Sequence, residues 1–278
     1  MAYQKKTSTE TAVATTTTES KALISAEMAG VFEEDAAQNS GFERDDLTLP
    51  FLRLLQKMSP EVDKRDPKYI DGAGDGDFIN TATGEVWDGS KGVLVVPIVH
   101  QRSVTEWRPR KDGGGLVKDH GSDISILGQL VKDPQTGRDV LPNGHELVRA
   151  SLYYVYVIDE ETGSFQSAAL SLSSTQLKKA RRWNTLMETL SVKNPATGKH
   201  FRPATFYMTY RLTSVAESND KGSWSGIKVE YHRPVIELPN GQDIYMAARS
   251  LRDAIQQGEV KTRSMDESVA TESDDMPF

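Results

Sequence analysis

Residues 152–164 read LYYVYVIDEETGS, a run of seven apolar and aromatic side chains that stops at a turn. Tyr, Val and Ile fit a pleated strand. Asp159 opens a type I turn and Gly163 takes the left-handed position after it, which suits a hairpin with a bulge. The same spacing, an Asn or Asp, two residues, then Thr-Gly, recurs in NTATGE (80–85), DPQTGR (133–138) and NPATGK (194–199). LPNGHE (141–146) and LPNGQD (238–243) carry Asn-Gly. Six turn signals at irregular spacing imply many antiparallel strands. The segments between them do not resemble one another, so this is not a repeat protein.

Outward from these turns, GVLVVPIV (92–99) reads as a strand buried on both faces. In 205–212, Phe206, Met208, Tyr210 and Leu212 are expected on one face and Thr205, Tyr207, Thr209 and Arg211 on the other. Residues 227–236 alternate similarly. Two helices are predicted. Ser173 or Ser174 caps 175–190, with Leu177, Ala180, Trp183 or Asn184, Met187 and Leu190 on one stripe. The second, 244–257, ends before Gly258 as C′ residue. The class expected is mainly β, a barrel or sandwich with helical additions.

Of 278 residues, 37% are hydrophobic and 26% charged, which allows a packed core in one or two domains. The 33 basic and 40 acidic side chains are unevenly spread: residues 1–40 hold three and six, residues 264–278 none and five. Residues 41–263 keep 30 and 29, a near-neutral body able to carry local basic patches. Residues 1–40, rich in Thr, Ala, Ser and Glu, are expected to be disordered, with 23–35 a transient helix. The body is expected over 41–262 and an acidic tail over 263–278. With no cysteine, disulfides, thiol nucleophiles and thiolate zinc sites are excluded. No secretory signal and no apolar run long enough for a membrane helix is seen, so a soluble cytoplasmic protein is expected.

Catalytic patterns are absent. The five histidines are scattered without metal-ligand spacing. GAGDGD (72–77) lacks the Lys and the helix of a phosphate loop and reads as a turn. Asp75, Asp77, Asp159, Glu160 and Glu161 each sit in a turn that explains them without metal. No enzyme, cofactor or metal is expected.

Cations interleaved with aromatics form three patches. HQRSVTEWRPRK (100–111) joins Arg102, Trp107, Arg108, Arg110 and Lys111. LKKARRW (177–183) puts Lys178, Lys179, Arg181, Arg182 and Trp183 within about two helical turns. KHFRPATFYMTYR (199–211) brings Lys199, Phe201, Arg202, Tyr207, Tyr210 and Arg211. Single-stranded nucleic acid suits this mixture, because cations follow phosphates while aromatic faces stack on bases. Each patch also has a plain reading, with Trp183 in the core and the helix cations on a solvated face.

The last residues, ESDDMPF, place Asp274, Asp275, Met276, Pro277 and Phe278 at the chain end. This resembles the acidic tip of bacterial single-stranded DNA-binding proteins, with two aspartates where that pattern has three and Met as the aliphatic. The Phe ring would fill an apolar pocket while the carboxylates meet a basic rim. FERDDLTLPFLRLLQKMSPEV (42–62), YIDGAGDGDFINTATGEVWDG (69–89) and EWRPRKDGGGLV (106–117) resemble the single-stranded DNA-binding proteins of tailed bacteriophages. That resemblance implies an elaborated OB-like barrel and an acidic tail. The expected function is sequence-independent single-stranded DNA binding in replication, recombination or repair, with partner proteins held by 274–278. Self-association is allowed but not specified. A strand-annealing recombination protein, a virion or scaffold protein and, last, an enzyme remain as alternatives.

Overall fold

The computed structural model describes residues 49–134, 137, 139–220 and 222–258, together with Met28, Gly30 and Val31. The chain divides into two units, Met1–Glu43 and Arg44–Phe278. In the first, Met28, Gly30 and Val31 are helical and lie within the stretch expected as a transient helix. The tails expected over 1–40 and 263–278, including Asp274, Asp275, Met276, Pro277 and Phe278, otherwise lie outside the described residues.

Three of the Thr-Gly turns share one hydrogen-bond plan among the described residues. Asn80 Oδ1 accepts the N–H groups of Ala82 and Thr83 at 2.9 and 3.2 Å, and its carbonyl accepts that of Gly84 at 2.9 Å. Asp159 does the same for Glu161, Thr162 and Gly163, and Asn194 for Ala196, Thr197 and Gly198. Gly163 has φ +71°, and a Cβ there would also collide with the Pro239 carbonyl. Glycine is thus required twice over.

The elements follow in order as β1 (Leu52–Leu54), β2 (Phe78–Asn80), β3 (Val86–Trp87), β4 (Val93–Trp107), β5 (Leu116–Asp119), β6 (Val131–Lys132) and β7 (Asp139–Val140). After them come β8 (Glu146–Ile158), β9 (Phe165–Ser173), α1 (Leu177–Thr189), β10 (Val192–Lys193), β11 (His200–Phe201), β12 (Met208–Asn219), β13 (Gly222–Pro234) and α2 (Gly241–Gln256). The protein is mainly β with two long helices. β4 and β8 extend well past the apolar runs, because their polar halves, 100–107 and 146–151, pair into a long arm that β5 and β7 widen.

Five long strands set the architecture. β4 pairs with β8 and β12, β8 with β9, and β12 with β13, all antiparallel, while α1 enters between β9 and β12. The resulting neighbour order is β9-β8-β4-β12-β13, an open antiparallel path compatible with the OB-like arrangement expected. No ladder joins β9 to β13 among the described residues; residues 49–56 fill that gap. The Ala169 N–H donates to the Pro50 carbonyl at 2.7 Å, and Phe51 bridges Ala169 in parallel. At the far end the Gln56 side chain reaches Ser225 of β13.

The sheet buries both faces. Inside lie Leu52, Phe78, Val95, Tyr153, Val155, Leu170, Tyr210, Leu212 and Ile227, closed at one end by Ala180, Trp183 and Met187 of α1. Trp183 is fully buried, stacked on Tyr153 at 4.4 Å and edge-on to Tyr210 at 5.6 Å. Outside, Leu94, Val96, Ile98 and Tyr156 pack under Ile244 and Ala248 of α2.

Three local expectations change. Phe206 leaves the face of Tyr210 and Leu212 and joins the α2 side, because Thr205–Tyr207 is a 3-10 turn and a bulge follows between Met208 and Tyr210. LPNGQD opens α2 instead of a hairpin: Asn240 is left-handed at φ +54° and Gly241 begins the helix. Neither Ser173 nor Ser174 caps α1 with its side chain. Gln176 stands at that N-cap, and its carboxamide is committed to β13, where Oε1 accepts the Ile227 N–H at 3.2 Å.

Candidate nucleic-acid interface

Helical periodicity sorts α1. Ala180, Trp183 and Met187 face the core inside the sheet, which leaves Lys178, Arg181 and Arg182 exposed along a helix about 20 Å long. Lys179 is half-buried and pairs with Glu217 of β12, whose other oxygen accepts the Trp224 indole N–H at 3.1 Å. Lys179, Arg182 and Leu186 follow one another at three- and four-residue spacing on one edge of the helix. Near the end of that edge the Tyr231 hydroxyl donates to the Leu186 carbonyl, leaving a ring 42% exposed. Beyond it, Arg202 pairs with Glu188, and Phe201 of β11 is 47% exposed. Three rings thus lie along α1: half-buried Trp224 through Glu217 to Lys179, exposed Tyr231 at Leu186, and exposed Phe201 next to Arg202, which pairs with Glu188.

The arm continues this face. Tyr153, which carries α1 through its hydroxyl bonds to the Ala180 carbonyl and Asn184 Oδ1, stands opposite His100 in the β4–β8 register. Arg102 opposite Ser151 and Arg149 opposite Val104 share the face and are both exposed. As diagonal neighbours they stand about 7–8 Å apart. His100 is half-buried with its ring 4.8 Å from that of Tyr153, and Nε2 is buried without a hydrogen-bond partner. Burial, and then the charge of Arg102, hold its imidazole below the ordinary pKa.

Other expected contacts go elsewhere. Trp107 is buried on the opposite face and its indole N–H donates to Thr105 Oγ1 at 2.8 Å, so no ring face is open to a base. Tyr210 is fully buried and Tyr207 half-buried in the 3-10 turn. Arg108 and Lys111 are exposed at the arm turn, and the Arg110 side chain lies outside the described residues. Lys199 is exposed in the β10–β11 turn. Arg211 points away from α1 and pairs with Glu160, which also takes His232 at 2.8 Å and Arg233 at 3.0 Å.

Sequence reasoning missed Arg149, Trp224 and Tyr231. Residues 213–226 carry no Thr-Gly turn and no apolar run, and the turn formers at 218–222 (SNDKG) mark the β12–β13 hairpin without showing which way Trp224 faces. A lone Trp flanked by small residues, GSWSG (222–226), was the clue to Trp224 itself.

A cavity of about 440 Å³ opens elsewhere, lined by Glu85, Trp87, Glu160, Glu161, Phe165 and Arg211 among others. Its carboxylates disfavour a polyanion. Among the described residues no group of histidines and carboxylates is arranged to hold a metal ion, and no helix is long and apolar enough to cross a membrane. No curated protein and no solved structure matches the chain significantly. Residues 18–261 match the family described as Pam3 phage gp34-like protein, and the chain belongs to that family of phage proteins.

Proposed function

We propose that this phage protein is a non-enzymatic, sequence-independent single-stranded DNA-binding protein of replication or recombination. The strand would lie along the α1 edge and continue onto Arg102 and Arg149. One observation carries the reading: exposed Tyr231 and Phe201 and half-buried Trp224 are anchored along one side of α1, which also carries the exposed Lys178, Arg181 and Arg182, unpaired among the described residues. Stacking on three rings tolerates any base, and the cations track the backbone. The β12–β13 hairpin that holds Trp224 corresponds to a loop that OB-type barrels use for oligonucleotides. Residues 274–278 would recruit replication or recombination partners.

Anisotropy of labelled oligo-dT against a duplex of equal length, over a salt series, tests the DNA reading. Preference for the single strand with a steep salt dependence is expected; equal affinity for both forms would refute it. The tail is tested by capturing polymerase or helicase components with full-length protein, a chain ending at Glu272, and Phe278→Ala. Equal recovery by all three removes the recruiting role.

A further inference from the structure

Glu217 occupies a seat built from three elements. Lys179 of α1 pairs with Oε1, and the Trp224 indole N–H donates to Oε2 at 3.1 Å. Gly226, two residues beyond Trp224 on β13, lies under the carboxylate with no side chain: a Cβ there would stand 2.5 Å from Glu217 Cδ and 2.6 Å from Oε2. The Glu217 and Lys179 side chains keep 22% and 29% of their exposure, so the seat opens to water. A cation, a neutral N–H donor and a bare backbone converge on one oxyanion, and a phosphodiester offers the same pair of acceptor oxygens.

We propose that this is a phosphate seat, and that Glu217 holds it in the DNA-free protein. The inference rests on the single-strand reading above. An arriving phosphate takes Lys179 and the indole N–H, Glu217 turns to water, and the Trp224 ring, now hydrogen-bonded to the phosphate, stands beside the neighbouring base. A half-exposed ion pair contributes little, so the exchange is close to balanced. It also replaces one neutralised charge by another, which keeps this phosphate out of the salt dependence.

The test uses full-length protein and labelled oligo-dT. Glu217→Gln keeps the shape and frees Lys179. Its affinity should rise about threefold to tenfold at low salt, and its log–log salt slope should steepen by about 0.7, the value for one single-strand phosphate. Glu217→Ala repeats the comparison without an amide in the seat. In Lys179→Ala/Glu217→Gln both gains should vanish, because the two residues act through each other. Wild-type binding with Glu217→Gln and Glu217→Ala unchanged in affinity and slope overturns the seat alone. No binding by any variant overturns the single-strand reading and the seat with it.

Discussion

The carboxamide of Gln56 pairs with the backbone of Ser225 as a strand would. Nε2 donates to the Ser225 carbonyl and Oε1 accepts the Ser225 N–H, both at 3.0 Å. With Gln176 taking the Ile227 N–H, two side chains stand in for the ladder that would join β9 to β13. Gln56→Ala leaves two backbone groups of a buried residue unpaired, at a cost of about 1–3 kcal/mol. Urea unfolding should show the midpoint falling with an unchanged m-value; an unaltered midpoint would mean water replaces the amide.

Charge on α1 should govern binding without governing stability. Lys178, Arg181 and Arg182 are exposed and carry no side-chain partner among the described residues. Replacing all three by Ala should weaken oligo-dT binding and flatten the salt slope by about 0.7 for each phosphate that is no longer neutralised. Melting temperature should hold within a few degrees. If affinity survives, the helix is a solvated face.

Exposed Phe201 and half-buried Trp224 lie on the α1 side, whereas Trp183 and Trp107 are buried. Trp224→Ala and Phe201→Ala should each weaken binding by about 1–3 kcal/mol, an effect that persists at high salt. Trp183→Ala should instead cost about 3–5 kcal/mol of stability, since it removes the plug between Tyr153 and Tyr210. Trp107→Ala belongs with Trp183. A Trp224 variant that binds normally would move the strand off this edge.

His100 gives the pH dependence. Its folded pKa is depressed, by burial first and Arg102 second, so the unfolded chain takes up a proton that the folded chain refuses. That contribution is complete above the unfolded value, about 6.5, and is lost as pH falls towards the folded one. His100→Phe keeps a ring against Tyr153 and removes the unpartnered Nε2. Between roughly pH 7.5 and 5.5 wild type should lose more thermal stability than this variant. Parallel melting curves would assign the loss to another group.

What residues 1–278 determine by themselves is local. An Asn or Asp side-chain oxygen readily reaches the N–H groups two and three residues on, so Asn80, Asp159 and Asn194 announce their turns without help from the rest of the chain. The stripe of Ala180, Trp183 and Met187 is likewise a property of helical spacing, and it places the α1 cations on the water side. Tertiary structure decided which cations are free and which rings are open. Lys179 meets Glu217 across 38 residues and Gln56 meets Ser225 across 169. Trp107 and Trp224 each sit among polar neighbours in sequence, yet one is buried against the sheet and the other stands at a hairpin edge. Strand register sets that difference, because shifting a strand by one residue exchanges its faces, and register depends on every strand alongside it.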